Sequence, residues 1–181
     1  MTNLKNEGTK TMATRIRLSK GWIIVIGLVL VAAIAGSAMA FYGAKGHTFN
    51  DTFTKWVTKS PPAAGVVANM VGVVGGDVGS GVYAGEILSM NTAGTSPNTT
   101  TSIHALYHFK GSKHAFTADV NITQNDSAGT AVIAGKVTDG WLKGASVTGG
   151  YNVLSTCPIP TLDNAYGTVC FQGALQIQVP K

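Results

Sequence analysis

Few side chains in this sequence are equipped for chemistry, and their spacing narrows what they can do. Glu86 falls in "GVYAGEILSM", where alternation puts it on one face with Val82, Ala84 and Leu88, and puts Tyr83, Gly85, Ile87 and Ser89 on the other. A carboxylate among apolar neighbours has a raised pKa and serves as an acid or steers a cation. The alternative is a rim glutamate paired with a lysine or a backbone amide. Tyr107 offers a second polar group, so Glu86 and Tyr107 are the candidate catalytic residues. Tyr83, His104, Trp141 and Tyr151 are candidates to line an apolar pocket, with core packing as their alternative role. His104 and His108 share a strand face four residues apart, about 13 Å at the usual rise. They are too far apart to share a metal. His114 lies across a hairpin and approaches His108 by cross-strand pairing. No third ligand can be named, so no metal is expected and rim or surface positions suit the histidines. The sequence carries no Gly-x-Ser-x-Gly elbow, HExxH, P-loop or dinucleotide fingerprint.

Cys157 and Cys170 are the only cysteines, 13 positions apart. Outside the cytoplasm they read as one disulfide closing the loop "PIPTLDNAYGTV" at its base. A reactive thiol or a metal pair is the functional alternative. The N-terminus favours the oxidised reading. Residues 21–36, "GWIIVIGLVLVAAIAG", carry no charge and follow the basic run "RIRLSK". Ala38-Met39-Ala40 fits the small-x-small pattern of a signal cleavage site, with the cut after Ala40. Gly21 to Tyr42 is also long enough for an uncleaved span of roughly 20 residues. Its basic end would then face the cytoplasm, and the chain would meet the membrane through this segment. On both readings the rest of the chain lies outside the cytoplasm, secreted or anchored.

The elements that must hold these residues are strands. Charged residues make up only 12% of the chain, about half the usual share, and there are 23 glycines. The net charge of +5 sits mostly in the first forty residues. A nucleic-acid-binding stripe on the folded part is therefore missing, and no nucleic-acid partner is expected. Residues 41–65 read as a lead-in. Phe49, Phe53 and Trp56 there have a near-helical spacing that suggests one or two amphipathic turns before Pro61-Pro62.

From residue 66 the period is two. Apolar or alternating runs begin near residues 66, 81, 102, 113, 130, 141 and 168. One face carries Ile103, Ala105, Tyr107 and Phe109, and another carries His114, Phe116, Ala118, Val120 and Ile122. "GSK" makes a tight hairpin in which Gly111 is available for a positive φ. In "TDGW" Asp139 is a turn residue. Glycines inside the strands, Gly135, Gly144 and Gly173 among them, fit sharp bends and close backbone approaches in a barrel.

The strand series "GSGVYAGEIL", "LYHFKGSKHAFTADVNIT", "GTAVIAGKVTDGWLKGASVTGGYNV" and "CFQGALQI", within residues 78–177, resembles the allene oxide cyclase barrel-like domains, relatives in fold of the plant dirigent proteins. The resemblance implies an eight-stranded antiparallel barrel with a central pocket, often a homo-oligomer. It implies a flexible apolar substrate held in one shape, with no cofactor. The chain departs from those families in its N-terminal segment and its cysteine pair.

The sequence thus predicts an all-β protein, an eight-stranded up-and-down barrel over residues 66–181 behind a hydrophobic signal or anchor helix in residues 1–40. The leading functional expectation is a central cavity for a small hydrophobic ligand, with or without cofactor-free cyclase or isomerase turnover. The alternative is a non-enzymatic cell-surface structural or interaction protein with a filled barrel. A cavity of a few hundred Å³ with convergent polar groups favours the first, and an interior filled by side chains favours the second.

Overall fold

Alternation along each strand decides which residues enter the interior. The computed structural model describes residues 46–159 and 164–180. Over them the chain forms β1 (Thr48–Val57), β2 (Ala68–Gly76), β3 (Gly81–Ala93), β4 (Thr100–Gly111), β5 (Ala115–Asn125), β6 (Thr130–Gly140), β7 (Ser146–Leu154) and β8 (Cys170–Gln178). Each strand pairs antiparallel with the next, and β8 pairs with β1, so the sheet closes into an up-and-down barrel. Closure removes the exposed edges that invite aggregation. Among the described residues there is no helix. The hydrophobic segment at residues 21–42 and the cleavage site at Ala40 lie outside the described residues.

The barrel begins earlier than residue 66. The stretch read as a lead-in with a helical spacing contains β1, which pairs with β2 from Asp51↔Gly76 to Val57↔Met70. Its inward residues are Asp51, Phe53 and Lys55, all buried. Two charged residues on the inward face and Trp56 on the outward face hide the alternation. Trp56 is buried for a separate reason. It packs outside the barrel with Ala165 and Cys170, and Cys157 and Ile159 lie against the same cluster. Its indole N–H donates to Asn164 Oδ1 at 3.0 Å. The segment around the disulfide thus lies against β1, and Tyr166 N–H donates to the Val57 carbonyl. The expected bridge is present, joining Cys157 to Cys170 with their Cα atoms 5.4 Å apart.

The faces of β4 and β5 are as alternation assigns them, with Ala105, Tyr107 and Phe109 and then Phe116, Ala118, Val120 and Ile122 buried inside. On β3 the bulge between Ile87 and Ser89 changes the phase, and Ser89, expected on the Tyr83 face, is exposed opposite His104. Two turn expectations are corrected. Gly111 does not adopt a positive φ. Its lack of a side chain instead admits the backbone oxygens of Val78 and Gly79. "TDG" is not the reversal, because β6 runs on to Gly140 and Asp139 pairs with Thr117 beside a bulge at Thr138 of β6. The chain turns at residues 141–144, where Leu142 has φ 61° and Gly144 has φ 90°.

Inward glycines make room for large rings. A Cβ on Gly85 would lie 2.8 Å from Tyr83 Cζ, so the tyrosine ring folds over that glycine. At Gly173 a Cβ would meet Tyr151 Cβ at 2.8 Å and Phe53 Cζ at 2.9 Å. Gly173→Ala should therefore lower unfolding stability by about 1–3 kcal/mol through overpacking. Ala174→Val, on the exposed face of the same strand, should stay within about 0.5 kcal/mol. Urea denaturation of the two variants checks this.

Candidate functional site

The interior is built around a lysine. Lys55 points inward from β1 between Gly72 of β2 and Phe171 of β8. It is 2% exposed. Its Nζ hydrogen-bonds to Tyr107 Oη. It lies 3.9 Å from the centroid of the Tyr107 ring, 4.9 Å from Tyr151, 5.2 Å from Phe53 and 5.5 Å from Tyr83. The rings continue as a cluster across the barrel. Tyr83 meets Tyr107 edge-on at 5.2 Å and Phe109 edge-on at 5.5 Å, and Phe109 stacks on Phe116 at 4.8 Å.

Among the described residues no carboxylate pairs with Lys55. The one ion pair among the described residues is His104–Asp119. Asp51 shares the inward face of β1 but stands four residues away, about 13 Å along the strand. The balance of magnitudes is then clear. Ring quadrupoles attract an ammonium by about 2 kcal/mol when desolvated. Removing that ammonium from water costs several kcal/mol. Burial therefore wins and holds the lysine pKa well below its ordinary 10.5.

The acids inside are pushed the other way by the same cause. Burial raises the pKa of Tyr83, Tyr107 and Tyr151, with the Asp126 charge adding to the last. Asp51 is fully buried and its pKa is also raised, burial again the largest cause. Its Oδ1 accepts the Val78 N–H at 2.7 Å, fastening the β2–β3 turn, while Oδ2 has no partner. Tyr83 Oη is likewise buried without a hydrogen-bond partner. Tyr151 carries its hydroxyl to the rim, donating to Gln124 Oε1 at 2.8 Å, and Gln124 donates to Asp126 at 2.7 Å.

Of the candidates read from sequence, Tyr107, Tyr83 and Tyr151 meet at this cage. Glu86 does not. It lies on the outward face of β3, since the inward residues are Tyr83, Gly85 and Ile87. His104 is also outward and is held by Asp119 at 2.8 Å. His108 bonds to Thr117 at 3.0 Å rather than meeting His114. Trp141 sits at one end of the barrel, stacked on His114 at 4.0 Å and edge-on to Phe49 at 4.8 Å. An open cleft of about 240 Å³ lies by His108, Lys110, Thr117 and Asp139, beside the β6 bulge. Lys55, Phe53 and Asp51 are not foreseen. The signal for them is the odd-numbered series Phe49, Asp51, Phe53, Lys55 and Val57, visible once residues 48–57 are read as a strand.

No family model matches the chain, and neither a curated protein nor a solved structure gives a match.

The titration of the cage has a definite sign. Between the depressed folded pKa of Lys55 and the unfolded value of 10.5 the unfolded chain binds the extra proton. Stability therefore rises with pH, at up to about 1.4 kcal/mol per unit. Above about pH 10 the tyrosines ionise in the unfolded chain first, and stability falls again. Denaturation curves should show an optimum near pH 9–10. Lys55→Met should be more stable than the parent at pH 7 and should lose the rise towards pH 9. A parent curve flat from pH 7 to 9 contradicts this.

Proposed function

We propose that this chain is an extracytoplasmic barrel serving as a structural or interaction platform, not as a reaction vessel of large volume. The observation that carries the reading is the occupied interior. Tyr83, Tyr107, Lys55, Phe109, Ile133, Leu175 and Ile177 are each at most 2% exposed and fill the space that a sizeable ligand needs. The outer face suits contact with another molecule. Across β7, β8 and β1 the rows Ser146–Gln178–Thr48 and Thr148–Gln176–Asn50 present hydroxyls and amides without a charge. The disulfide supports an oxidising compartment, in keeping with the N-terminal segment. The likeness to allene oxide cyclase and dirigent barrels is carried as a proposal on the strand pattern alone.

A second reading rests on one observation, the lysine cage. Sequences break the apolar rule for interiors mostly at functional sites, and a caged amine beside tyrosine hydroxyls suits a small apolar molecule with one polar group. Native mass spectrometry of the full chain, purified from its own host, separates the two. The platform reading predicts an apo mass, lighter by the two hydrogens of the Cys157–Cys170 bond. A stoichiometric co-purifying apolar molecule overturns it in favour of the second.

A further inference from the structure

The cleft on the outer wall carries charges of both signs. Three residues stand in one row across it, His108 of β4, Thr117 of β5 and Asp139 of β6. Beside that row lie Lys110 and its cross-strand neighbour Ala115, with Gly140 next to them. A Cβ on Gly140 would sit 2.5 Å from the Ala115 carbonyl oxygen, so this glycine lies close against β5. Alanine and glycine make a low floor between taller side chains. The space above that floor is the open cleft of about 240 Å³.

A bulge puts the acid there. Val137 is buried inside the barrel, and strict alternation would send Asp139 inward after it. Thr138 is the extra residue of β6, without a cross-strand partner, and its hydroxyl donates to the Thr117 carbonyl at 3.3 Å. The phase of the strand changes, and Asp139 comes out exposed opposite Thr117. Re-aiming one side chain in this way is a recurrent use of bulges beside binding sites. His108 is fixed too, through the 3.0 Å bond between its Nδ1 and Thr117 Oγ1.

Lys110 and Asp139 line the same cleft and yet do not pair with each other, since the one ion pair among the described residues is His104–Asp119. A plain anion drawn to Lys110 would meet the Asp139 carboxylate, and a plain cation drawn to Asp139 would meet the Lys110 ammonium. Both suffer like-charge repulsion. A molecule with one charge of each sign suffers neither and matches both groups.

We propose that this cleft binds small free α-amino acids. The ligand carboxylate accepts from the Lys110 ammonium and from His108 Nε2–H, while His108 Nδ1 accepts from the Thr117 hydroxyl. The ligand α-ammonium donates to the Asp139 carboxylate. Contacts made in the presence of water are weak singly, so the site is one of millimolar strength. The inference goes beyond the platform reading and does not depend on it, because it uses the outer wall and leaves the interior filled.

The test is an NMR titration of the isotope-labelled, full-length chain with glycine at pH 7. The backbone amides of His108, Lys110, Thr117, Asp139 and Gly140 should shift and saturate with a Kd of about 1–10 mM. Acetate and methylammonium, with one charge each, should bind the parent at least about tenfold more weakly. Lys110→Gln and Asp139→Asn change exposed side chains. Each should weaken glycine at least about tenfold, with the amide spectrum elsewhere unchanged. Asp139→Lys should reverse the preference and put acetate ahead of glycine. Shifts that do not saturate, acetate binding the parent as well as glycine does, or full glycine affinity in Asp139→Asn would each overturn the proposal. None of these results touches the platform reading, which fails on a co-purified apolar molecule.

Discussion

Everything inside this barrel is arranged around an amine that has been taken from water with no anion beside it among the described residues. An ammonium in that place is worth about 2 kcal/mol of attraction from rings against a desolvation cost several times larger. The outcome is a lysine whose pKa is held well below its ordinary value. The interior as a whole then avoids charge, since burial also holds Asp51 and the three tyrosines towards their protonated, neutral forms. An acid and a base on one strand, Asp51 and Lys55, are too far apart to exchange a proton directly. Burial shifts the pKa of each separately, raising that of Asp51 and lowering that of Lys55.

The rest of the barrel accommodates that choice. A lysine flanked by Phe53, Tyr83, Tyr107 and Tyr151 takes up more room than eight strands leave when every inward position carries a side chain. The glycines on the inward faces solve this. Gly85 lies beneath the Tyr83 ring, and Gly173 lies between Phe53 and Tyr151. They also let the sheet curve tightly enough to close. On the outside, Cys157, Ile159, Ala165 and Cys170 pack with Trp56 of β1, and Asn164 bonds to its indole. The strand that carries the lysine is thus held by hydrogen bonds to β2 and β8 and by a second small core behind it.

Much of the fold was legible because alternation is a robust signal when one face is apolar. The inward sets of β4 and β5 follow directly from the sequence, and the cysteine pair could be read from number and context. β1 was obscured by the very residues that make the site. Asp51 and Lys55 occupy core positions where a reader expects leucine or valine, and Trp56 occupies an outward position that only the loop around the disulfide explains. Glu86 drew attention as a carboxylate beside Val82, Ala84 and Leu88, but those apolar residues lie on the outward face. Alternation says which residues share a face and leaves open which face is inside. The bulges at Ile87/Ser89 and at Thr117/Ala118 moved Ser89 and Asp139 away from their expected places, and bulges leave no dependable mark in sequence.

Function turns on whether the caged amine is neutral, because an inert core and a reactive centre both follow from its environment. The most direct measurement is the NMR titration of the Lys55 side chain, following its Cε and Nζ shifts from pH 5 to pH 11 in selectively labelled protein. The account predicts the shifts of a free amine at pH 7 and a midpoint far below the ordinary 10.5. An ammonium signal at pH 7 that titrates near 10.5 with the surface lysines would contradict it.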